Sequence, residues 1–174
     1  MLKKFCLLLA VLSCLVIGFY VFVWKNSALS LDKKDCAFCN TTILDHQKFY
    51  EDELVIALYS HKPILPGHCL IIPKRHILRF EMLTDAEMLQ IGRVIKKVDQ
   101  AVKKIFKTSS YFLLQKNDLE VQSVPHVHVH YLPREASESS LLKIFFNMLM
   151  SGIQKPISAS EMKEVVEKLK NAIE

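Results

Sequence analysis

Residues 125–134 read PHVHVHYLPR, so three of the chain's seven histidines stand at every second position. Side chains alternate between the two faces of a β-strand, and His126, His128 and His130 therefore share one face of a predicted strand. A strand rises about 3.3 Å per residue, which separates successive rings by roughly 6.6 Å. Near pH 7 a neutral imidazole is a metal ligand, a base or a nucleophile. The row therefore predicts a metal site or a phosphate-handling site; a strand that only presents polar side chains to solvent is the alternative.

The segments on either side of this strand predict a mixed fold. Further strands are expected at residues 49–53, 54–58, 68–73 and 111–114, beside the histidine strand at 125–132. Thr84 and Glu87 form a helix-start signature, and the apolar residues that follow recur with helical period. Residues 141–150 and a segment capped by Ser158 predict two C-terminal helices. Short turns between neighbouring strands favour an α+β domain with an antiparallel sheet of about five strands.

The N-terminal segment is unusually apolar. Residues 5–24 contain no charged side chain, and about 20 helical residues span a bilayer core of roughly 30 Å. A cleaved signal peptide, or a lipoprotein signal ending at Cys14, is the alternative. We expect one transmembrane helix that anchors the protein to a membrane (residues 1–25), then a polar tether (26–35). Lysines on both sides of the helix leave the side of the membrane that the domain faces undetermined.

The charge distribution does not require a nucleic-acid partner. The formal net charge is +5, and much of it lies on the long predicted helix. Lysines opposite the apolar stripe of a helix predict a solvent-exposed face, with binding of phosphate or anionic lipid as the alternative. We therefore expect no nucleic acid among the partners.

Cys36 and Cys39 form a C-x-x-C pair. Two cysteines at this spacing supply half of a tetrahedral zinc site. A redox-active or bridging disulfide is the alternative, favoured if the domain faces an oxidising compartment.

Four ordered blocks resemble the histidine triad (HIT) superfamily. They are Cys36-Ala-Phe-Cys39, residues 51–57 (EDELVIA), residues 66–76 (PGHCLIIPKRH) and His126-Val-His128-Val-His130-Tyr-Leu. The chain is most similar to the fragile-histidine-triad branch and the bacterial HIT hydrolases. The resemblance implies a HIT-like fold for residues 36–174, with a motif-matched part at 36–135 and a C-terminal helical extension at 136–174. It also implies a homodimer with a continuous sheet.

The resemblance implies a nucleotide hydrolase or transferase that cleaves a nucleoside phosphate anhydride, with dinucleoside polyphosphates as the expected substrates. His128 resembles the nucleophile, which forms a covalent nucleotidyl-histidine intermediate. The substrate-binding positions implied by the match are His130, His68, Gln115, Gln122, Ser123, Ser60, Leu58 and Leu70. A phosphoramidate hydrolase of the Hint-like branch, or a catalytically weak nucleotide-binding protein, is the alternative.

The same resemblance completes the metal site. Bacterial HIT proteins bind structural zinc through positions that match His76 and His126 besides Cys36 and Cys39. We therefore expect structural Zn²⁺ on these four residues and no organic cofactor.

The chain departs from the family pattern at two places. Family members usually have a glycine-rich loop before the triad, whereas residues 116–121 (KNDLEV) contain no glycine. Ser60 stands where family members usually have Asn or Asp at the ribose. Both departures concern the fit of the substrate more than the type of reaction.

Overall fold

The computed structural model describes residues 31–119, 122–134 and 141–173. Five strands form one sheet in this part of the chain, in the order β1-β2-β3-β5-β4, and every neighbouring pair is antiparallel. The strands are β1 (Lys48–Glu51), β2 (Val55–Tyr59), β3 (Cys69–Pro73), β4 (Ser110–Gln115) and β5 (Val129–Arg134). The predicted α+β fold with a five-stranded antiparallel sheet is confirmed. β2 and β3 are buried along their whole length, as their apolar sequences require.

One face of the sheet is covered by helices α2 (Asp85–Phe106) and α4 (Ala159–Ala172). α2 begins at the predicted capping box, in which the Thr84 hydroxyl accepts from the Glu87 amide and the Glu87 carboxylate accepts from the Thr84 amide. Its apolar stripe, which includes Val94 and Val98, is fully buried against the sheet. α3 (Leu141–Met150) precedes α4.

The opposite face carries a smaller apolar cluster next to the N-terminal segment. Helix α1 (Thr41–Gln47) contributes Leu44, and the 3₁₀ turn Ala37–Cys39 contributes Phe38. These two side chains pack on residues of β2 and β3: Ile56, Leu58, Leu70 and Ile72. The C-x-x-C segment is thereby held against the face of the sheet that carries the histidines.

A turn at Gly67 sets the position of His68. Gly67 has φ = 87°, which favours glycine, and a Cβ there would lie 2.9 Å from the Pro133 side chain and 3.0 Å from Val102. The Gly67 amide also donates to the Tyr59 hydroxyl at 3.4 Å. No larger residue fits this turn without displacing β5 or α2.

The histidine segment is not one continuous strand. β5 begins only at Val129, so His130 lies in the strand while His128 and His126 precede it. The Val127 amide donates to the carbonyl of Ile77 at 2.6 Å, which draws this segment away from the sheet ladder. The strand was therefore predicted to begin too early. The three rings still lie on one face of the sheet, since Phe38 contacts His126 and His128, His128 contacts His130, and Val127 and Val129 pack into the core on the opposite side.

The predicted membrane anchor requires correction. Within the described ranges, no helix is both long enough and apolar enough to cross a bilayer. α2 is long but charged on its exposed side, and α3 is apolar but has only 10 residues. Residues 1–25, to which the anchor was assigned, lie outside the described residues. The structure gives no support to the transmembrane helix, to a membrane partner or to a membrane-anchored location.

Candidate active site and metal centre

His128 is held by the backbone of His126. Its Nδ1 lies 2.6 Å from the His126 carbonyl oxygen, which can only accept, so Nδ1 carries the proton. In the neutral ring Nε2 then has a free lone pair. Phe38 supports the ring with an edge contact, at 5.3 Å between ring centroids. The site thus presents one unprotonated imidazole nitrogen in a fixed orientation.

His68 and His130 form a hydrogen-bonded relay. The Ile64 amide donates to His68 Nδ1 at 3.2 Å, so the proton of the neutral His68 ring is on Nε2. His68 Nε2 in turn donates to His130 Nδ1 at 3.0 Å. The remaining proton of His130 is therefore on Nε2, which is buried and has no hydrogen-bond partner among the described residues. A buried donor without a partner favours an acceptor such as a phosphate oxygen.

Burial keeps these histidines neutral. Desolvation is the first cause in each case, and it lowers the pKa of His68 to about 3 and of His130 to about 2. The pKa of His128 is also lowered, by burial and then by the positive charge of Lys116. A neutral His128 at pH 7 is the form that can act as a nucleophile.

The predicted base-binding residues lie beside the histidines. Leu70 pairs with His130 across β3 and β5 and with Leu58 across β2 and β3, so the three side chains share a face. Ser60 is buried just after β2, and its amide donates to the carbonyl of His68 at 3.0 Å. Leu58 and Leu70 are both buried, in the apolar cluster that also contains Leu44 and Phe38, so the structure does not present them as an open surface beside His130.

The predicted phosphate-contacting glutamines have other partners. Gln115 pairs with Val129, which faces α2, so the register places Gln115 on the face opposite His130. Its amide donates to the Lys116 carbonyl at 2.7 Å. Gln122 is buried, and its amide donates to the same carbonyl at 2.5 Å. The structure thus brings neither amide to the histidines by a hydrogen bond, and Ser123 is exposed beside Gln122.

Sequence reasoning missed Lys116 and Phe38. Lys116 is half-buried, and its positive charge lowers the pKa of both His128 and His130. Strand alternation from Leu114, which pairs with His130, would have placed Lys116 on the histidine face. Phe38 stands between the two cysteines of the C-x-x-C pair, and only the tertiary fold brings it to His128.

Four side chains gather at a second centre. The ligand atoms of Cys36, Cys39, His76 and His126 all lie within 4.8 Å of one another, so this cluster can hold a metal ion. The sulfur of Cys36 is 3.4 Å from His126 Nδ1, and the sulfur of Cys39 is 3.5 Å from His76 Nδ1. Tetrahedral coordination with Zn–S of about 2.3 Å and Zn–N of about 2.0–2.1 Å separates sulfur from nitrogen by about 3.6 Å.

The outer partners of this centre also suit a metal. His126 Nε2 donates to the Pro73 carbonyl at 2.9 Å, and His76 Nε2 donates to the Leu31 carbonyl at 3.3 Å. Both rings therefore turn an unprotonated Nδ1 towards the sulfurs, as metal-bound histidines do. Burial, and then the neighbouring Cys39 thiol, raises the pKa of Cys36 to about 11. Cys36 and Cys39 are free thiols in this structure, which does not support the alternative of a disulfide.

Comparison with known proteins identifies similar chains. The family model described as "HIT domain" matches residues 41–137. Bis(5'-nucleosyl)-tetraphosphatase [asymmetrical] of Schizosaccharomyces pombe is 39% identical over 95 residues, which are 54% of this chain and 52% of the relative. Bis(5'-adenosyl)-triphosphatase of Dictyostelium discoideum is 35% identical over 88 residues, covering 50% of this chain and 59% of the relative. The chain thus spans only about half to three-fifths of the length of these relatives.

A solved structure agrees in fold. The zinc-bound histidine triad family protein of Mycobacterium smegmatis superposes with a TM-score of 0.62 at 20% identity, covering 81% of this chain and 94% of that protein. At this identity the likeness concerns the fold alone.

Proposed function

Because this chain belongs to the HIT domain family, we propose that it is a nucleotide hydrolase whose nucleophile is His128. The observation that carries the proposal is the 2.6 Å contact between His128 Nδ1 and the His126 carbonyl oxygen. This contact leaves Nε2 unprotonated, and burial keeps the ring neutral at pH 7. An imidazole fixed in this way is prepared for attack on phosphorus.

The proposed reaction has two displacements. In the first, the Nε2 lone pair of His128 forms a bond to the α-phosphorus, and the bond from that phosphorus to the oxygen of the leaving phosphate chain breaks. In the second, water attacks the same phosphorus, loses a proton to solvent and releases a nucleoside monophosphate as the phosphorus–nitrogen bond breaks. His130 Nε2–H is the free donor for a phosphoryl oxygen in both steps.

Dinucleoside polyphosphates are the proposed substrate class. Two relatives are named as a bis(5'-nucleosyl)-tetraphosphatase and a bis(5'-adenosyl)-triphosphatase. Leu58 and Leu70 lie on the face of His130 but are buried in the cluster with Leu44 and Phe38, so the support for this substrate class is the named relatives and the geometry of the histidines. In this proposal Gln115, Gln122 and Ser123 shape the loop that lies at the phosphates. The Gln122 side-chain amide holds this loop by donating to the Leu78 carbonyl at 3.4 Å.

Turnover assays test this function. The full-length chain and its His128→Ala variant are each incubated with diadenosine tri- and tetraphosphate and with adenosine phosphoramidate. We expect AMP release from the polyphosphates by the unaltered chain, and at least a thousandfold slower release by the variant. Preferential cleavage of the phosphoramidate would favour the Hint-like alternative. Nucleotide binding without turnover would favour a binding protein, and unchanged release by His128→Ala would refute the nucleophile.

The metal that we propose for the Cys36, Cys39, His76 and His126 cluster is structural Zn²⁺. A set of two thiolates and two imidazoles is typical of closed zinc sites. When bound, the ion would hold the C-x-x-C segment on the sheet. The Phe38 ring and the His126 carbonyl, both in contact with His128, would be positioned as a result.

The partner that we propose is a second copy of the chain. β4 is an edge strand, and it exposes the apolar side chains of Tyr111, Phe112 and Leu113. A long apolar edge strand is a template for pairing with another strand. Antiparallel pairing of two β4 strands would give a symmetric dimer with one continuous sheet.

A further inference from the structure

Lys116 lies on the histidine face at the end of β4. Leu114 pairs with His130, and side chains two residues apart on a strand share a face. Lys116 is two residues beyond Leu114, directly after the last residue of β4. Its side chain is half-buried, not extended into solvent. Strand alternation therefore places Lys116 on the face of the sheet that carries His130.

The backbone at Lys116 is fixed from both sides. The Lys116 carbonyl accepts from the amides of Gln115 at 2.7 Å and Gln122 at 2.5 Å. The next residue, Asn117, accepts from the Phe80 amide at 2.7 Å and donates to Glu81 at 2.8 Å. These bonds hold the start of a loop that has no glycine, so Lys116 presents its side chain from a fixed position.

The positive charge of Lys116 reaches the site. It is one cause of the lowered pKa of His130, after burial and the neighbouring His128 and His68 rings. A cation that disfavours the charged form of this buried imidazole stabilises an anion bound beside it. The histidines themselves are neutral and supply no net charge to a phosphate chain.

We propose that Lys116 is a specificity-determining residue that binds the phosphate chain of the substrate and favours leaving groups with more phosphates. The inference rests on the proposed hydrolase function and narrows its substrate class to polyanionic anhydrides. Each added phosphate brings negative charge within reach of the ammonium group, whereas a phosphoramidate has a single phosphate. A charged hydrogen bond of this kind is worth about tenfold in affinity.

The test compares three substrates in four proteins. We measure kcat/KM of the full-length chain and of Lys116→Gln, Lys116→Arg and Lys104→Gln on adenosine phosphoramidate, diadenosine triphosphate and diadenosine tetraphosphate. Lys104 is an exposed lysine of α2, which packs on the opposite face of the sheet, and serves as the matched control. We expect Lys116→Gln to lower kcat/KM about tenfold on the tetraphosphate, less on the triphosphate and under twofold on the phosphoramidate. Lys116→Arg should keep most of the kcat/KM of the unaltered chain, and Lys104→Gln should leave kcat/KM unchanged on all three substrates.

A uniform loss on all substrates would overturn the proposal, because it would mean that Lys116 acts only on the histidines or on the loop. No loss on any substrate would overturn it as well. A binding measurement separates this inference from the hydrolase function. In the His128→Ala background, Lys116→Gln should reduce the ratio of ATP to AMP affinity about tenfold, even if the unaltered chain hydrolyses none of the substrates. An unchanged ratio would refute the role of Lys116 alone.

Discussion

The carbonyl oxygen of His126 lies 2.6 Å from Nδ1 of His128, and the imidazole of the same His126 faces Cys36 and Cys39. One residue therefore serves two centres, its backbone fixing the proposed nucleophile and its ring joining the cysteine cluster. The sequence repeats histidine at every second position, yet the fold gives neighbouring histidines separate roles.

This contact predicts the tautomer of His128. At pH 7 the ring should be neutral, with the proton on Nδ1 and none on Nε2, because the carbonyl only accepts and burial disfavours the charged ring. Nitrogen-15 NMR of the histidine side chains distinguishes the two nitrogens. A His128 ring protonated on Nε2 at pH 7 would contradict the assignment.

The cysteine cluster predicts one equivalent of zinc. Cys36→Ser should lower the zinc content from one equivalent to less than a tenth. It should also lower the free energy of unfolding by a few kcal/mol, because metal binding is coupled to folding. Elemental analysis and denaturant unfolding measure both quantities.

Cys69→Ala is the matched control, since Cys69 is a buried thiol of β3 outside the cluster. It should keep its full zinc content. The outcome that would exclude the structural zinc site concerns the unaltered chain purified with zinc available. It would hold less than a tenth of an equivalent of zinc, and both cysteines would be oxidised.

The buried relay predicts loss of stability in mild acid. His68 and His130 have folded-state pKa values of about 3 and about 2, below the usual 6.5. At pH values between these folded-state pKa values and 6.5, the unfolded chain therefore binds more protons than the folded chain. The free energy of unfolding is highest above pH 6.5 and falls as the pH decreases below it. Each histidine contributes a loss of about 2 kcal/mol at pH 5 by linkage.

Urea unfolding at pH 7 and pH 5 measures this loss. His130→Asn should reduce the pH dependence, whereas His46→Gln, at an exposed position, should leave it unchanged. Equal pH dependence in His130→Asn and the unaltered chain would show that the relay is not the cause.

The exposed edge of β4 predicts a dimer, and one charged side chain at this edge should disrupt it. Leu113→Asp should convert the dimer to a monomer at micromolar concentration, since the carboxylate would be buried against a second copy. Light scattering after size exclusion gives the mass of each variant. Leu89→Asp is the control, because Leu89 is an exposed apolar residue of α2. A monomeric unaltered chain, or a dimeric Leu113→Asp variant, would contradict the β4 interface.

Most of the fold follows from local patterns in the sequence. The Thr84 and Glu87 signature marks the start of α2, and the apolar runs mark β2 and β3 to within one residue. The histidine strand was predicted at residues 125–132, so its start lies four residues and its end two residues before those of β5. A hydrogen bond from Val127 to the distant Ile77 carbonyl takes that segment out of the ladder, and no local pattern reveals such a contact.

The site was harder to predict than the fold. The four cluster residues Cys36, Cys39, His76 and His126 do come together, as the family resemblance implied. The sequence did not reveal which face of the sheet the Gln115 side chain occupies, because this depends on the register between β4 and β5. A family resemblance matches positions along the chain. The face to which each side chain of an edge strand points is set by the pairing of that strand with its neighbour.

The central claim is that His128 Nε2 forms a bond to phosphorus, and its most direct test is to locate that bond. The full-length chain is mixed with diadenosine tetraphosphate, stopped within one turnover in alkaline denaturant, which preserves phosphorus–nitrogen bonds, and digested for mass spectrometry. We predict an adenylyl adduct on His128 that is absent from the His128→Asn variant. An adduct on a different residue, or undiminished turnover by His128→Asn, would contradict the account.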